Sequence, residues 1–489
     1  MAILPTVFRA KKPAMSQPAV AVDGLASVNP MPSKVVYDPI HGYMTMTADA
    51  LMLIDTPEYQ RLRDLKQLGA SYWTFPGGSH NRFEHCLGVS HLSVKWAERF
   101  QRNQPELEID GRDIQLVRLA GLCHDLGHGP LSHCWEGVMR SLLGGDHRWS
   151  HEDMSLKMLE LMFERYQLWE PMEMESSDLR VICSLISGKP IGEMKREKRF
   201  LYDIVANGRN GIDVDKFDYL QRDCFNLGMK MSYDSSRLIQ YSKVIDNEIC
   251  FYSKEAFNVY QLYHTRFVMH KEVYSHPVGK AIELMMNDAI ILADSYMGFK
   301  EKCETAEEFW PLTDCVIRDI EFSRAEDRGM QAARDLIRRI RRRELYKFVD
   351  EIVLTPEQYA QYMPIREADI VHCQSTSEEV NLNVDDIIVD VYHLNYSRKD
   401  KNPVDSVHFY AHFDDNESMS IPREKVSHLI PTAFEEHYVR IFCRESSRDY
   451  VKAAKDAFRT WCRKKNIPSP MRSFVRFAPA YSQDASIRL

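Results

Sequence analysis

No run of apolar residues approaches the roughly 20 that a bilayer crossing requires, although 44% of the 489 residues are hydrophobic. That absence excludes a membrane span, and the want of an apolar block near the start excludes a secretory leader. Eleven cysteines are scattered from Cys86 to Cys462 without a CxxC pair, so neither a zinc ribbon nor a disulfide framework is indicated. The pattern suits a reducing, intracellular setting and leaves nucleus and cytoplasm open. Excess positive charge is also missing, since the formal net charge is -8. Wholesale coating of nucleic acid is thereby disfavoured, and any anionic ligand must be met by local clusters. There is no internal repeat or low-complexity tract.

What is present divides the chain into three expected parts. Residues 1–33 hold several Pro, Ala and Ser residues without helical or strand period and are expected to form a flexible tail. Their basic cluster, Arg9, Lys11 and Lys12, is too short to assign a nuclear address. From 34 to 351 apolar residues recur at three and four, which predicts a helical core. One helix is expected to open at Thr56-Pro57, with Leu62, Leu65 and Leu68 as its apolar stripe and Gly69 as its end. From 352 to 489 the texture alternates: Ile387, Val389 and Val391, then Val407, Phe409 and Ala411, then Val439, Ile441 and Cys443 read as strands. A last helix is predicted from about Arg448 to Lys465. The expected fold is mainly α, a helical catalytic core followed by a smaller α+β lobe.

The most informative stretch is Gly121-Leu122-Cys123-His124-Asp125-Leu126-Gly127-His128-Gly129-Pro130-Leu131-Ser132-His133. Helix packing alone does not call for three histidines and an aspartate so close together. His124 and His128, four apart, are expected to share a helix face, and Gly129-Pro130 to break the helix so that His133 folds back. His85 and Asp215 lie far off in sequence in similarly polar settings. Any one of these histidines could be an ordinary core residue, but the set together points to a coordination sphere. Mixed imidazole and carboxylate ligands suit iron, manganese, nickel or zinc. Such an ion polarises a phosphoryl oxygen and makes hydroxide available near neutral pH, which points to phosphoester hydrolysis.

These residues, together with Lys34-Val35, Asp38-Pro39-Ile40-His41-Gly42, Gln60-Arg61-Leu62-Arg63, Arg82-Phe83-Glu84-His85, Asn210-Gly211-Ile212-Asp213-Val214-Asp215-Lys216 and Lys401-Asn402-Pro403, closely resemble the dNTP triphosphohydrolases of the HD superfamily. The likeness is greatest to the vertebrate members that join a SAM domain to the HD domain. The front of this chain is too short for a SAM domain, so none is expected. The resemblance implies four metal ligands, His85, His124, Asp125 and Asp215. It implies a catalytic group of His128, His133 and His151, with His133 protonating the departing 5' oxygen and Glu136, in place of an aspartate, orienting His133. Arg82, Lys216 and Arg266 would hold the triphosphate, and Mg2+ would accompany the nucleotides. Tyr219 and Asp223 would recognise the 3'-hydroxyl. Gln67, Leu68 and Tyr274 would form a wall that excludes a 2'-hydroxyl, although plain helix packing also accounts for Leu68 and Tyr274.

By the same resemblance Lys34, Val35, Asp55, Gln60 and Arg63 would bind a guanine nucleotide, GTP or dGTP, between subunits. Arg237, Lys254, Arg343 and Lys347 would serve a second, deoxynucleotide effector, with dimers assembling into a tetramer. Four departures stand in this second set and beside it: Tyr37 for an asparagine, Tyr252 for an arginine, Pro277 for a lysine and His412 for a lysine. Fewer phosphate contacts imply weaker or altered effector binding. The run Ile337-Arg338-Arg339-Ile340-Arg341-Arg342-Arg343 reads first as a solvated helix face, with nucleic-acid binding a minor alternative. Hydrolysis of dNTPs to deoxynucleoside and triphosphate is the principal expectation. An HD phosphodiesterase or nuclease, and a nucleotide-sensing scaffold, are the alternatives.

Overall fold

The protein is described from a computed structural model, which describes residues 33–144, 149–375 and 380–468. The expected tail, with Arg9, Lys11 and Lys12, lies outside the described residues apart from Ser33. Among the described residues no helix is long and apolar enough to cross a membrane.

Thr56 caps as expected, its hydroxyl accepting from Tyr59 N at 3.3 Å with Pro57 in the first helical position. The helix nevertheless ends at Gln60, a 3-10 turn runs from Arg61 to Asp64, and Gly69 opens another 3-10 turn instead of closing the first helix. Competing partners divert the backbone: Lys66 N donates to the Asp314 carboxylate at 2.9 Å, Gln67 N to His80 O at 3.0 Å, and Arg82 N to Leu65 O at 3.0 Å. Leu62 and Leu65 are buried, whereas Leu68 faces a cleft.

The body is mainly helical. The Arg82–Asn103 helix, opened by a capping box of Asn81 and Glu84, buries Phe83, Leu87, Leu92, Trp96 and Phe100. It packs against the Gly111–Cys123 and Val214–Leu227 helices. Gly88 permits the second approach, because a Cβ there would stand 1.9 Å from an Asp218 carboxylate oxygen. The Ala256–Met269 helix runs into a π turn, His270–Tyr274, and the Pro277–Met297 helix closes the body. π turns re-aim side chains and recur at functional sites; this one presents His270 and Tyr274 to the cleft.

Small sheets decorate this body. Lys34–Asp38 and Gly42–Met46 form a hairpin; Ser242–Ile245 pairs antiparallel with Glu248–Tyr252, which Phe409–Tyr410 joins in parallel. In the C-terminal region Glu435–Cys443 is the central strand between Lys347–Leu354 and Ile387–Asn395, and the Arg448–Lys464 helix packs on that sheet. The alternation at Val407, Phe409 and Ala411 yields only a two-residue strand. The chain turns directly after it, as the Asp415 carboxylate accepts from Ala411 N at 3.1 Å and His412 N at 2.7 Å. Tyr396, Val404, Phe409 and Phe434 join the main apolar core, while a second core lies between the C-terminal sheet and its helix.

The arginine run lies on the Arg328–Arg341 helix and the turn after it. Ile337 and Ile340 are fully buried, Arg341 pairs with Glu321 at 2.8 Å, and Arg342 pairs with Glu344 at 3.0 Å. An amphipathic face with paired cations is the simplest description.

Candidate metal and active site

The HD stretch does not sit within a helix. The Gly111–Cys123 helix ends one residue before His124, and the chain continues in turns as far as His133. His124 and His128 therefore part company and enter two adjoining groups. In the first, His85 Nε2 stands 3.1 Å from Asp215 Oδ1 and 3.2 Å from His124 Nε2, and His124 Nε2 stands 3.5 Å from Asp215 Oδ1. Asp125 reaches both imidazoles at 3.5 Å through its two oxygens. The donor atoms of His85, His124 and Asp215 lie close enough together to hold one divalent ion, whereas Asp125 stands at the margin of this group and is paired with Arg82.

The outer contacts fit the same purpose. His85 Nδ1 bonds the Asp218 carboxylate at 2.7 Å and His124 Nδ1 bonds Gly121 O at 2.9 Å, so both rings turn Nε2 inward. A metal-ligating histidine is held in this manner. Asp218 is in turn held by Arg222 at 2.8 Å and His41 at 2.7 Å, and Arg222 reaches Asp38 at 2.8 Å. Burial opposes a charge on His85, but hydrogen bonds to Asp215 and Asp218 prevail and raise it to about 10. Burial likewise disfavours the Asp215 carboxylate, yet His124 and His85 hold it well below its usual range. These carboxylates demand positive charge at the centre of the group, which a divalent cation satisfies.

In the second group the His128 and His151 rings stack with centroids 3.8 Å apart, and His133 stands edge-on 4.9 Å from His128. Glu136 bonds His151 Nδ1 at 2.5 Å. It therefore braces His151 and not His133, contrary to expectation, because the helix that begins at Cys134 turns the Glu136 side chain towards His151. Burial, then the charges of Arg82 and His151, lower His133 to about 4, and the same causes push His128 well below its usual value. Both rings are neutral near pH 7.

These groups share a cleft of about 540 Å³, the size of a nucleotide-scale pocket. Arg82, Asp125, His128, His133, His151 and Asp215 line it, as do Gln67, Leu68, Tyr219, Asp223, Arg266 and Tyr274; His85, His124 and Lys216 are not part of its lining. Arg82 donates through Nε to Ser132 Oγ at 2.9 Å and forms an ion pair with Asp125. Arg266 donates to Asn395 O at 2.9 Å, and Lys216 lies 3.4 Å from Asp213. Asp223 is fixed from two sides, by His80 at 2.6 Å and by the Tyr274 hydroxyl, which donates to it at 2.5 Å. Gln67 Oε1 is buried and has no hydrogen-bond partner among the described residues.

Several contributors were not singled out from sequence. Asp218 and Arg222 are an i, i+4 pair on the helix that carries Asp215, a signal legible beforehand. His41 and Asp38 were noted only within a matching segment, and His80 and Ser132 gave no sign of their roles. His270 lines the cleft, and burial with the nearby charges of Arg266, His133 and Lys216 lowers it far below its usual value.

On the surface, Lys34 pairs with Asp55 at 3.3 Å, Gln60 donates to Ile54 O at 2.7 Å, and Arg63 donates to Gln60 Oε1 at 2.8 Å. Val35 is 63% exposed on the adjoining hairpin. Arg237 pairs with Glu255 and lies over the Tyr241 ring, while Lys254 lies 5.6 Å from the Tyr252 ring, so these two cations share a surface. Arg343 donates to Trp73 O at 3.1 Å, and Lys347 begins a strand of the C-terminal sheet. Tyr37 packs edge-on against Tyr43, Tyr252 stacks with Phe413 at 5.2 Å, Pro277 begins a helix, and His412 lies in the turn held by Asp415.

Residues 82–223 match the model of the HD domain, and residues 233–460 match that of the HD associated region. A deoxynucleoside triphosphate triphosphohydrolase SAMHD1 homolog of Dictyostelium discoideum is 46% identical over 91% of this chain and 83% of its own length. The chain belongs to the SAMHD1 family. Its relatives include deoxynucleoside triphosphate triphosphohydrolase SAMHD1 of Gallus gallus, 39% identical over 89% of this chain and 76% of that protein. That of Homo sapiens is 38% identical over 89% of this chain and 74% of that protein. The HD domain match spans His85, His124, Asp125, His128, His133, Glu136, His151 and Asp215.

Proposed function

We propose that this protein hydrolyses deoxynucleoside triphosphates at the α phosphorus, releasing deoxynucleoside and inorganic triphosphate. One observation carries the reading: a nucleotide-sized cleft lined by Asp125 and Asp215, beside the donor group of His85, His124 and Asp215, also holds His133, kept neutral by burial and by the Arg82 and His151 charges. A divalent ion, iron, manganese, nickel or zinc, would be held by His85, His124 and Asp215 with Asp125 beside them, and would supply Lewis acidity towards a phosphoryl oxygen and towards water. Mg2+ accompanies the phosphates of the nucleotide.

The chain's own residues do the rest. Arg82, Lys216 and Arg266 fix the triphosphate, and positioning of this kind converts binding into rate. The negative charge of the substrate offsets the cations that depress His133, so its pKa rises and it takes up a proton to give to the departing 5' oxygen. His151, fixed by Glu136, stacks on His128 and keeps the trio in register. At the other end Asp223 and Tyr219 meet the 3'-hydroxyl, and the Tyr274 ring fills the space that a 2'-hydroxyl needs. A phosphodiesterase acting on nucleic acid would require a 3' extension where Asp223 stands, held by His80 and Tyr274.

Regulation extends the proposal. A guanine nucleotide bridging subunits at Lys34, Val35, Asp55, Gln60 and Arg63 contributes binding energy only in the assembled state and so drives dimers to tetramers. The second effector, a deoxynucleotide at Arg237, Lys254, Arg343 and Lys347, binds more weakly, since Tyr252 and Pro277 bring no charge. The test is chromatographic identification of products from each dNTP and NTP, with and without GTP or dGTP. Deoxynucleoside with intact triphosphate supports the proposal, and release of mononucleotides from an oligonucleotide alone refutes it.

A further inference from the structure

Leu131 and Ser132, the last residues before His133, both adopt left-handed backbone conformations, with φ of 60° and 58°. Neither is glycine, and two such residues in succession are strained, persisting only where surrounding structure holds them. The holding group is remote in sequence. Asp314 uses both carboxylate oxygens on backbone donors, accepting from Leu131 N at 2.7 Å and from Lys66 N at 2.9 Å. Ser132 completes the tie: its hydroxyl donates to Lys66 O at 2.6 Å and accepts from Arg82 Nε at 2.9 Å. From the other side Gly69 seats the turn, since a Cβ there would stand 2.3 Å from Leu131 O.

We infer that Asp314 is a positioning residue for the reaction, locking the strained Leu131–Ser132 turn to Lys66 so that Ser132 aims the Arg82 guanidinium into the cleft and the chain delivers His133 beside it. Asp314 touches no reacting atom. It acts through Ser132, the only hydroxyl among the described residues to which Arg82 donates. With Nε held by Ser132 and Nη1 paired with Asp125, the planar guanidinium keeps Nη2 at a fixed angle, which suits an oriented phosphate contact. Asparagine at 314 would keep the size but set an amide nitrogen against a backbone N–H, so one of the two ties is lost. The inference rests on the triphosphohydrolase reading for the role of Arg82.

The experiment uses the full chain with Asp314→Asn, Ser132→Ala and the two combined. Four quantities are measured: kcat and KM for dGTP in the presence of GTP, affinity for inorganic tripolyphosphate, bound metal, and thermal unfolding. Wild-type turnover and product identity test the underlying reading independently. Each single variant is expected to lose tenfold or more in kcat/KM and in tripolyphosphate affinity at unchanged metal content, with a fall of only a few degrees in melting temperature. The double variant is expected to lose no more than the worse single one, because both changes release the same turn. Losses that multiply, full activity in either single variant, or loss confined to metal content or melting temperature would overturn the inference. Should Asp314→Asn fail to fold, Gly69→Ala presses on the same turn from the opposite side. Unimpaired tripolyphosphate binding in a folded Gly69→Ala protein would likewise count against it.

Discussion

The Arg61 guanidinium donates to the carbonyl oxygen of His128 at 2.9 Å, and its other contacts reach Leu126 O at 2.8 Å and Leu312 O at 2.6 Å. Its neighbours Gln60 and Arg63 lie on the surface turn proposed to bind guanine nucleotide. One short segment thus touches both the proposed regulatory surface and the loop of the cleft histidines. Burial lowers Arg61 to about 9, which leaves it cationic at neutral pH.

Arg61→Lys should separate assembly from activation, since an ammonium cannot span three carbonyls that a planar fork can. GTP-driven tetramer formation persists, activity falls tenfold or more, and stability drops by roughly 1–3 kcal/mol from the orphaned carbonyls. Asp55→Ala should do the reverse, weakening assembly while metal content stays intact. Light scattering and activity followed together as GTP, dGTP and dATP are titrated distinguish the two. A tetramer fully active without nucleotide, unchanged by Asp55→Ala, sinks the regulatory proposal.

His124→Ala or Asp215→Ala should remove most bound transition metal and abolish turnover, each deleting a donor from the group of His85, His124 and Asp215. Asp218→Asn, one step outward, should lower metal affinity about 10- to 100-fold by releasing the His85 ring. Elemental analysis after dialysis against graded chelator reads both. Full metal occupancy in His124→Ala would place the ion elsewhere.

Tyr274→Ala should relax sugar selection, because removing the ring opens space beside C2'. Tyr274→Phe keeps the ring but frees Asp223 from its 2.5 Å hydrogen bond, so selection persists while KM for dNTPs rises severalfold. Competition between dGTP and GTP at the catalytic site measures the difference. Equal deoxynucleotide preference in wild type and a folded Tyr274→Ala protein would remove Tyr274 from the wall.

His133 is lowered to about 4 in the free protein by burial and by the Arg82 and His151 charges. Substrate anions offset those charges, so the pKa rises on binding and a proton is taken up in the window between the free and bound values. Calorimetry of tripolyphosphate binding at about pH 6, in buffers of different ionisation heat, should show net uptake approaching one proton. His133→Ala should abolish it, and the uptake should vanish as pH climbs past the bound value. Proton release on binding would contradict the assignment.

Legibility varied with the range of the interaction. The terminal helix and the two long strands of the C-terminal sheet were readable because apolar period alone sets them. The helix expected through Leu68 was not, because its backbone groups are claimed by Asp314 and His80, hundreds of residues and a dozen residues away respectively. His85, His124 and Asp215 could be grouped beforehand because ligand chemistry restricts residue type. Nothing local reveals that Glu136 reaches His151 or that Asp218 backs His85, since both depend on how separate helices meet. Strand pairing of Phe409 with Phe251 is equally non-local.

The most direct test of the central claim is hydrolysis of dGTP in 18O-labelled water with GTP present, followed by mass spectrometry of the products. Attack at the α phosphorus with expulsion of the nucleoside 5' oxygen predicts unlabelled deoxyguanosine and one 18O in intact inorganic triphosphate. Formation of dGMP with pyrophosphate, or of dGDP with phosphate, would contradict it.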